Sequence, residues 1–384
     1  MKITNDIVYI GVDDKEIDLF EGQFDVPNGM SYNSYVIIDE KIAVMDTVDK
    51  RKADEWMANL EAVLGDRKPD YLVVQHMEPD HSGSFKIFLE KYPETVVIGN
   101  AKTFVMISQF FNEELKFEKL EVKEGDTLEL GAHTLTFVNA PMVHWPEVMM
   151  TYDAHDKVLF AADGFGKFGA LDTDEDWACE ARRYYFNIVG KYGAQVQAVL
   201  KKAAALDIEI ICPLHGPILT ENLGYYINLY DIWSKYEPED EGVTIAYVSF
   251  HGNTKAAVEK MKEILLAKGA KKVSTFDLMR DDFAESVEDA FRYSKLIVAA
   301  TTYNMEAAPL AEHFARFLKG KNYQKRTVGF IENGTWAPVS AKLLSEIFSS
   351  MKDIKICENV VSIKSSMKEN NIEQMEKLAD EILA

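Results

Sequence analysis

The sequence predicts an α/β protein of two domains, residues 1–242 and 243–384. At about 150 residues per domain, 384 residues are too many for one ordinary domain. Residues 237–242 are acidic and interrupted by Pro and Gly, which is typical of a linker. After this linker strands and helices alternate, whereas before it short strand-like runs outnumber helices. A composition of 47% hydrophobic and 27% charged residues excludes a disordered or fibrous chain.

The second domain is predicted to be an open, doubly wound sheet of five parallel strands. The strand candidates are the apolar runs 243–248, 273–278, 295–300, 326–331 and 354–363. Helical segments lie between them, as Ala257, Met261 and Leu265 show by their four-residue spacing, and residues 372–383 form the last helix. Such a sheet binds ligands beyond the carboxyl ends of its strands.

The first domain is predicted to contain two packed sheets with outer helices, an αββα sandwich. Its strand candidates are the short apolar runs 34–39, 41–46, 71–74, 95–99, 134–139, 148–152 and 157–162. Fewer segments have helical character, namely 52–64, 86–92 and 177–206.

Charge and cysteine content exclude several function classes. The net charge of −21 argues against nucleic acid or an anionic membrane as a partner. Nearly all of it lies in residues 1–242, with a net charge of −22 against +1 for residues 243–384. Three widely spaced cysteines without a CxxC pair predict neither a disulfide framework nor an appended rubredoxin-type iron site. Without a signal peptide or a membrane-spanning run, we expect a cytoplasmic protein.

A group of potential metal ligands follows the predicted strand 71–74. Residues 76–81 contain His76, Glu78, Asp80 and His81, and Pro79 between them favours a loop over a helix. Further candidates stand at the ends of other predicted strands, namely His144, Asp163 and His215. Together these side chains suffice for two metal ions with one bridging carboxylate. A mixed His and carboxylate set suits iron, manganese or zinc.

The remaining histidines are predicted to have structural roles. His133 and His155 are expected in solvent-facing turns, and His313 is expected to pack in a Phe-rich helix. Cys212 follows an apolar run and is interpreted as a small core residue.

A predicted phosphate loop follows the first strand of the second domain. It contains Ser249, His251, Gly252, Asn253 and Thr254, and small or hydroxyl residues before a helix can bind a phosphate at its N-terminus. Loops 301–304 and 332–337 lie at the same sheet end, where Tyr303 and Trp336 either stack on a flat ring or pack at the edge of the core. Because the loop lacks a G-x-G-x-x-G pattern, it favours a mononucleotide such as FMN over a dinucleotide.

Taken together, these motifs resemble the flavodiiron protein family over essentially the whole chain. The first domain then resembles the metallo-β-lactamase fold and the second a flavodoxin. Glu78 stands where the hydrolytic zinc proteins of that fold carry His. The resemblance implies one iron held by His76, Glu78 and His144, a second held by Asp80, His81 and His215, and Asp163 as the bridge.

The resemblance also implies a redox function. FMN would bind with its phosphate in loop 249–254 and its ring flanked by Thr302, Tyr303, Asn304, Asn333, Gly334, Thr335 and Trp336. Electrons would pass from an external donor such as rubredoxin through FMN to the two irons, which reduce dioxygen to water or nitric oxide to nitrous oxide. Because members of the family form head-to-tail homodimers, the resemblance implies a head-to-tail homodimer or a dimer of dimers. Asn28 departs from the family, in which many members carry His.

Two alternatives stay open at this point. One is a dizinc hydrolase of the metallo-β-lactamase fold fused to a flavodoxin, and the other is a flavodoxin-type electron carrier with a structural first half. An acidic donor is also predicted to dock on a basic patch of the second domain, although these side chains could equally be ordinary surface charges: Lys268, Lys271, Lys272, Lys319, Lys321, Lys325 and Arg326.

Overall fold

A computed structural model describes residues 1–111 and 115–384 and divides into two compact units. Unit 1 comprises Met1–Tyr185 and Ala194–Asp231, and unit 2 comprises Phe186–Gly193 and Ile232–Ala384. The main division, between residues 231 and 232, lies before the predicted boundary at residue 242, which stays a prediction. None of the described helices is long and apolar enough to cross a membrane.

The strands of unit 1 are short and mostly buried. They are β1 (Ile7–Tyr9), β2 (Val12–Asp14), β3 (Leu19–Phe20), β4 (Phe24–Asp25), β5 (Met30–Tyr32), β6 (Tyr35–Ile38), β7 (Ile42–Met45), β8 (Tyr71–Val73), β9 (Val96–Gly99), β10 (Glu118–Glu121), β11 (Thr127–Glu129), β12 (Thr134–Asn139), β13 (Met149–Asp153), β14 (Val158–Phe160) and β15 (Ile210–Cys212). One sheet has the order β1-β6-β7-β8-β9-β10 and the other β11-β12-β13-β14-β15. Short ribbons pair β2 with β5 and β3 with β4.

The two sheets of unit 1 share one apolar core. Their facing side chains form a cluster that includes Tyr35, Val73, Phe137, Phe160 and Cys212, each completely buried. Cys212 is therefore a core residue, as the sequence predicts. The sandwich of two packed sheets is also confirmed, because both sheets supply side chains to this single cluster.

The helices of the chain follow the predicted pattern with three additions. They are α1 (Ala53–Leu64), α2 (Pro79–Ser82), α3 (Phe85–Lys91), α4 (Ala101–Phe110), α5 (Trp177–Tyr184), α6 (Gly193–Ala203), α7 (Leu223–Ser234), α8 (Asn253–Ala267), α9 (Phe283–Arg292), α10 (Pro309–Gly320), α11 (Ser340–Ser349) and α12 (Glu369–Leu383). The sequence did not predict α2, α4 or α7. The side chain of Asn100 caps α4 by accepting hydrogen bonds from the backbone N–H groups of Lys102 and Thr103.

The single helical stretch predicted at 177–206 is interrupted. A π-helical turn at Tyr185–Val189 and a 3₁₀ turn at Gly190–Tyr192 separate α5 from α6. Gly190 and Gly193 have low helix propensity, which weakens a continuous α-helix at this point.

Unit 2 contains a doubly wound parallel sheet. Its strands are β16 (Asp240–Tyr247), β17 (Val273–Asp277), β18 (Tyr293–Tyr303), β19 (Glu306–Ala307), β20 (Arg326–Asn333) and β21 (Ile354–Ile363). The order is β17-β16-β18-β20-β21, all parallel, with β19 paired antiparallel to β18. In order of sequence these five parallel strands read 2-1-3-4-5, the flavodoxin-like order, whose ligand site lies where the winding direction reverses, between β16 and β18.

The prediction that Arg326 belongs to a basic docking patch on the surface of unit 2 is wrong. This side chain is 2% exposed, and its guanidinium donates hydrogen bonds to the backbone carbonyls of Tyr236 and Phe291. The Lys325 ammonium pairs with the Glu237 carboxylate, and Lys268 pairs with two acids of α12. Several of the predicted patch residues thus pair with groups of unit 2 itself, because buried backbone carbonyls require hydrogen-bond donors and nearby carboxylates attract cations.

Candidate functional site

The seven predicted metal ligands converge at one end of the strands in unit 1. His76 follows β8, Asp163 follows β14 and His215 follows β15, while His144 lies in the loop between β12 and β13. All seven side chains belong to buried residues, with relative exposures of 9% or less. Buried charges at this density require compensation by opposite charge or by a metal.

Two of these residues lie on a helix, contrary to the prediction of a loop. The short helix α2 begins at Pro79, and it carries Asp80 and His81. Proline is well tolerated at the first helical position, because the backbone N–H it lacks would have no partner within the helix. Pro79 therefore starts this helix, and it turns Asp80 and His81 toward the site.

The first group of ligands consists of His76, Glu78, His144 and one oxygen of Asp163. The Nε2 atom of His144 lies 2.9 Å from Glu78 Oε2 and 3.1 Å from Asp163 Oδ2. The Nε2 atom of His76 lies 3.3 Å from Glu78 Oε2 and 3.2 Å from Asp163 Oδ2. Four ligand atoms from four side chains thus face one small volume.

The second group consists of Asp80, His81, His215 and the other oxygen of Asp163. The Nε2 atoms of His81 and His215 lie 3.1 Å apart. Asp80 Oδ2 lies 3.3 Å from His81 Nε2 and 3.2 Å from His215 Nε2. Asp163 Oδ1 lies 3.2 Å from His81 Nε2. Asp163 therefore presents one carboxylate oxygen to each group.

The donor chemistry of both groups fits a pair of cations. Neither carboxylate oxygen of Asp163 or Asp80 makes a hydrogen bond of acceptable geometry within the described part of the chain. A buried carboxylate without hydrogen bonds is costly, and a bound cation removes that cost. Imidazole and carboxylate ligands with Glu78 in place of a further imidazole suit iron.

The charges of the site favour positive charge at its centre. Burial by itself lowers the pKa of His76, but the charge of Asp163 and the hydrogen bonds to Glu147 and Glu78 raise it well above the ordinary value. Burial raises the pKa of Asp163, and the neighbouring His76, His144 and His81 nevertheless bring it well below its ordinary value. Metal ions compete with these protons for the same nitrogen and oxygen atoms.

Hydrogen bonds from outside the two groups orient two of the imidazoles. The Nδ1–H group of His76 donates to Glu147 Oε1 at 2.8 Å, and that of His215 donates to the Ser31 carbonyl at 2.7 Å. These bonds select the tautomer that leaves Nε2 free to bind a metal. Glu147 also accepts a hydrogen bond from the Met77 backbone N–H, at 2.9 Å.

Asp46 supports the segment that carries His76. Its buried carboxylate accepts hydrogen bonds from the Gln75 and His76 backbone N–H groups and from the Gln75 side chain. Sequence reasoning missed Asp46, Glu147 and Ser31 as supporting residues. Only the proximity of Glu147 to His144 in the sequence offered a signal.

The other candidate positions in unit 1 have mixed outcomes. Asn28 donates from its side-chain amide to the Glu175 carboxylate, which also accepts from Lys167 Nζ at 3.1 Å. His155 is exposed as predicted. His133 is only 1% exposed, so its prediction as a solvent-facing residue is wrong, because Asp153 binds the ring from inside the fold.

A cavity of about 540 Å³ lies at the carboxyl ends of β16, β18 and β20 in unit 2. Gly252 precedes α8 with a positive φ of 84°, and Ser249 Oγ accepts the Lys255 backbone N–H at 3.1 Å. All the predicted flavin-site residues except Gly252 line the cavity: Ser249, His251, Asn253, Thr254, Thr302, Tyr303, Asn304, Asn333, Gly334, Thr335 and Trp336. Gly252 lies within the same loop. A helix N-terminus beside hydroxyl groups suits a phosphate.

Large apolar side chains around this cavity are exposed. Trp336 is 83% exposed and Tyr303 is 49% exposed, so neither ring packs in the core of unit 2. Phe250 meets Tyr303 edge to face, with ring centroids 5.4 Å apart. Exposed aromatic faces beside a phosphate site fit a ligand with a flat ring, such as FMN.

The described fold and site define a flavin-dependent oxidoreductase with a paired-metal centre, and comparison with known proteins agrees. A family model described as ODP family beta lactamase matches residues 30–216. The anaerobic nitric oxide reductase flavorubredoxin of Aliivibrio fischeri is 31% identical, and the match covers 87% of this chain and 69% of that protein. The nitric oxide reductase of Moorella thermoacetica is 30% identical, with coverages of 93% and 91%. Rubredoxin oxygen:oxidoreductase from Desulfovibrio gigas superposes with a TM-score of 0.93 at 26% identity, covering 100% of this chain and 97% of that one.

The chain belongs to the flavodiiron protein family. Flavodiiron proteins carry FMN and a non-haem diiron site, and the buried His, Asp and Glu groups of unit 1 match that requirement. The predicted fold class, oxidoreductase function and cofactors are confirmed. A dizinc hydrolase or a simple electron carrier is not favoured.

Proposed function

We propose that this flavodiiron oxidoreductase reduces a small gas, dioxygen to water or nitric oxide to nitrous oxide, at the buried centre of unit 1. The observation that carries the proposal is Asp163, whose two carboxylate oxygens face two separate groups of ligands. His76, Glu78 and His144 would hold one iron, and Asp80, His81 and His215 the other. Relatives named nitric oxide reductase and rubredoxin oxygen:oxidoreductase support both gases as candidates.

The residues of the chain would position the metals and exclude bulk water. When bound, reduced FMN and a ferrous pair would each supply two of the four electrons needed to convert dioxygen to water. Asp163 would hold the two metal positions close together, while Glu147 and the Ser31 carbonyl keep Nε2 of His76 and His215 aimed at them. Three of the ligands remain 8–9% exposed, namely Glu78, Asp80 and His144. A diatomic gas would therefore enter the site from their side.

FMN would bind in the cavity of unit 2. The loop from Ser249 to Thr254 would hold the phosphate, and the rings of Tyr303 and Trp336 would flank the isoalloxazine. The exposed apolar side chains at this cavity also suit coverage by another protein surface. We therefore propose a head-to-tail homodimer, alone or as a dimer of dimers, in which the FMN of one subunit lies beside the diiron centre of the other.

An external carrier would deliver the electrons. The second half of the chain is nearly neutral, whereas the first half carries a net charge of −22, so an acidic carrier such as rubredoxin would approach the second half with less repulsion. Lys271, Lys272 and Lys319 stay candidates for such a contact after the exclusion of Arg326.

Metal and flavin analysis combined with turnover tests the proposal. Protein from iron-supplied cells should contain close to two irons and one FMN per chain, and it should consume dioxygen or nitric oxide with a common reductant. Peroxide release should be negligible during dioxygen turnover. Stoichiometric zinc with no gas reduction would support the hydrolase instead, and flavin without metal would support the electron carrier.

The dimer is tested separately by light scattering of the FMN-loaded protein. Trp336→Glu should weaken self-association if a partner subunit covers this exposed ring. The matched control is Tyr225→Glu, which changes an exposed aromatic residue of α7. A monomeric wild-type protein would contradict the dimer while leaving the diiron assignment intact.

A further inference from the structure

A second cluster of potential metal ligands lies at the opposite end of the strands in unit 1. Asp6 immediately precedes β1, His133 immediately precedes β12, and His155 lies in the turn between β13 and β14. The diiron ligand His144 instead follows the far end of β12. At about 3.3 Å per residue, the six residues of β12 separate the two places by roughly 20 Å.

His133 is the buried member of this cluster. Its side chain is 1% exposed, and its Nδ1–H group donates to Asp153 Oδ2 at 3.0 Å. This bond leaves Nε2 as the free ring nitrogen, and Nε2 has no hydrogen-bond partner among the residues that the structure describes. The Asp6 carboxylate lies 3.7 Å from it, beyond normal hydrogen-bond length. A carboxylate that orients an imidazole in this way is typical of the surroundings of a metal ligand.

Ligand atoms of Asp6 and His155 lie close to the His133 ring. One atom each from Asp6, His133 and His155 lie within 4.8 Å of one another. The imidazole rings of His133 and His155 have centroids 4.6 Å apart at an interplanar angle of 56°. Metal–ligand bonds of about 2.0 Å require only small side-chain rotations from this arrangement. Such rotations are open to the exposed His155 and to the Asp6 side chain, which is 47% exposed.

The surrounding charge favours a cation at this place. Burial by itself lowers the pKa of His133, but the hydrogen bond to Asp153 and the charges of Asp153, Asp156 and Asp39 raise it. A proton and a metal ion therefore compete for the same nitrogen. Two imidazoles and one carboxylate with an open fourth position are a ligand set that Zn²⁺ prefers.

We propose that Asp6, His133 and His155 form a peripheral site for a divalent metal of the zinc type, separate from the diiron centre. The ion would connect the segment before β1, an edge strand of one sheet, to two adjacent strands of the other sheet. It would therefore act as a cross-link between the two sheets at the end opposite the diiron ligands.

Zinc titration of the iron- and FMN-loaded protein tests this site. Zn²⁺ is added in the presence of a chromophoric chelator, and zinc and iron contents are measured together. We expect one zinc per chain beyond the diiron centre, without loss of iron. His155→Ala and Asp6→Asn should each weaken this binding at least tenfold, and both change exposed side chains, so the fold should tolerate them. His313→Ala, which alters an exposed histidine of unit 2, is the matched control and should bind zinc like the wild type.

Two further readouts distinguish the site from nonspecific zinc. X-ray absorption at the zinc edge should show two imidazole nitrogens and carboxylate or water oxygens at about 2.0 Å. Zinc should also raise the unfolding temperature of the wild type and of His313→Ala but not of His155→Ala, since a ligand that binds only the folded state stabilises it. The proposal is overturned by zinc uptake that matches iron loss, by no additional zinc, or by equal binding in His155→Ala and His313→Ala.

Discussion

Replacement of Glu147 by Gln or Ala should weaken iron binding at the His76 group without removing any ligand. The Glu147 carboxylate is completely buried, and its Oε1 atom accepts hydrogen bonds from His76 Nδ1 at 2.8 Å and from the Met77 backbone N–H at 2.9 Å. It therefore fixes the tautomer of His76 and increases the basicity of Nε2, the atom that faces Glu78 and Asp163.

The two substitutions differ in what they leave behind. Gln retains an oxygen that can accept both hydrogen bonds, but it loses the negative charge. Loss of such a partner typically reduces metal affinity by about 10–100-fold, which corresponds to about 1.4–2.7 kcal/mol. Ala additionally leaves two buried donors without an acceptor, at about 1–3 kcal/mol each, so Glu147→Ala should also lower the free energy of unfolding by roughly 2–6 kcal/mol.

Competition with a ferrous chelator under anaerobic conditions measures the iron affinity, and thermal unfolding measures the stability. Glu129→Gln is the matched control, because Glu129 is an exposed acid on β11 of the same unit. The FMN content should stay unchanged in all three variants. An iron affinity of Glu147→Gln within twofold of wild type would refute the argument that this carboxylate supports the His76 ligand.

Three further predictions concern Asp163, Trp336 and Gly252. Asp163→Asn should lose iron or gas reduction while retaining FMN, because it removes the charge shared by both ligand groups; full iron content by elemental analysis with normal turnover would contradict the bridge. Trp336→Ala should change the free energy of unfolding by no more than about 0.5 kcal/mol, since the ring is 83% exposed. It should nevertheless weaken FMN binding by about 3–10-fold in a flavin fluorescence titration, and an unchanged FMN affinity would exclude a stacking role. Gly252→Ala should lower the free energy of unfolding by about 1–2 kcal/mol in chemical denaturation, because φ at this position is 84° although no atom lies within 4 Å of the added Cβ. The control Gly224→Ala, equally unobstructed and within α7, should not destabilise the protein. Equal stability of Gly252→Ala and wild type would contradict backbone strain at Gly252.

Strand ends explain why much of the site was predictable. The metal-ligand candidates follow short apolar runs, and Asp163 and His215 follow the adjacent parallel strands β14 and β15, whose carboxyl ends meet at one edge of their sheet. His76 follows β8 of the other sheet, so its position beside these two residues depends on the packing of the two sheets. The loop before α8 was predictable because a short apolar run, a Gly-containing turn and a helix follow one another locally.

Burial and long-range hydrogen bonds were decided by the tertiary structure. Glu147 and Asp46 resemble ordinary acids in the sequence, and only the folded chain places their carboxylates against His76. His133 and Arg326 were expected at the surface, but both are buried because distant residues bind their side chains. Asp153 accepts a hydrogen bond from the His133 ring, and the backbone carbonyls of Tyr236 and Phe291 accept hydrogen bonds from the Arg326 guanidinium. The sequence by itself determined the longer buried strands, most of the helices and the chemistry of the ligands, since these depend on near neighbours along the chain. Which polar groups lie inside, and which partners orient them, depends on contacts between distant segments, and those exist only once the sheets have packed.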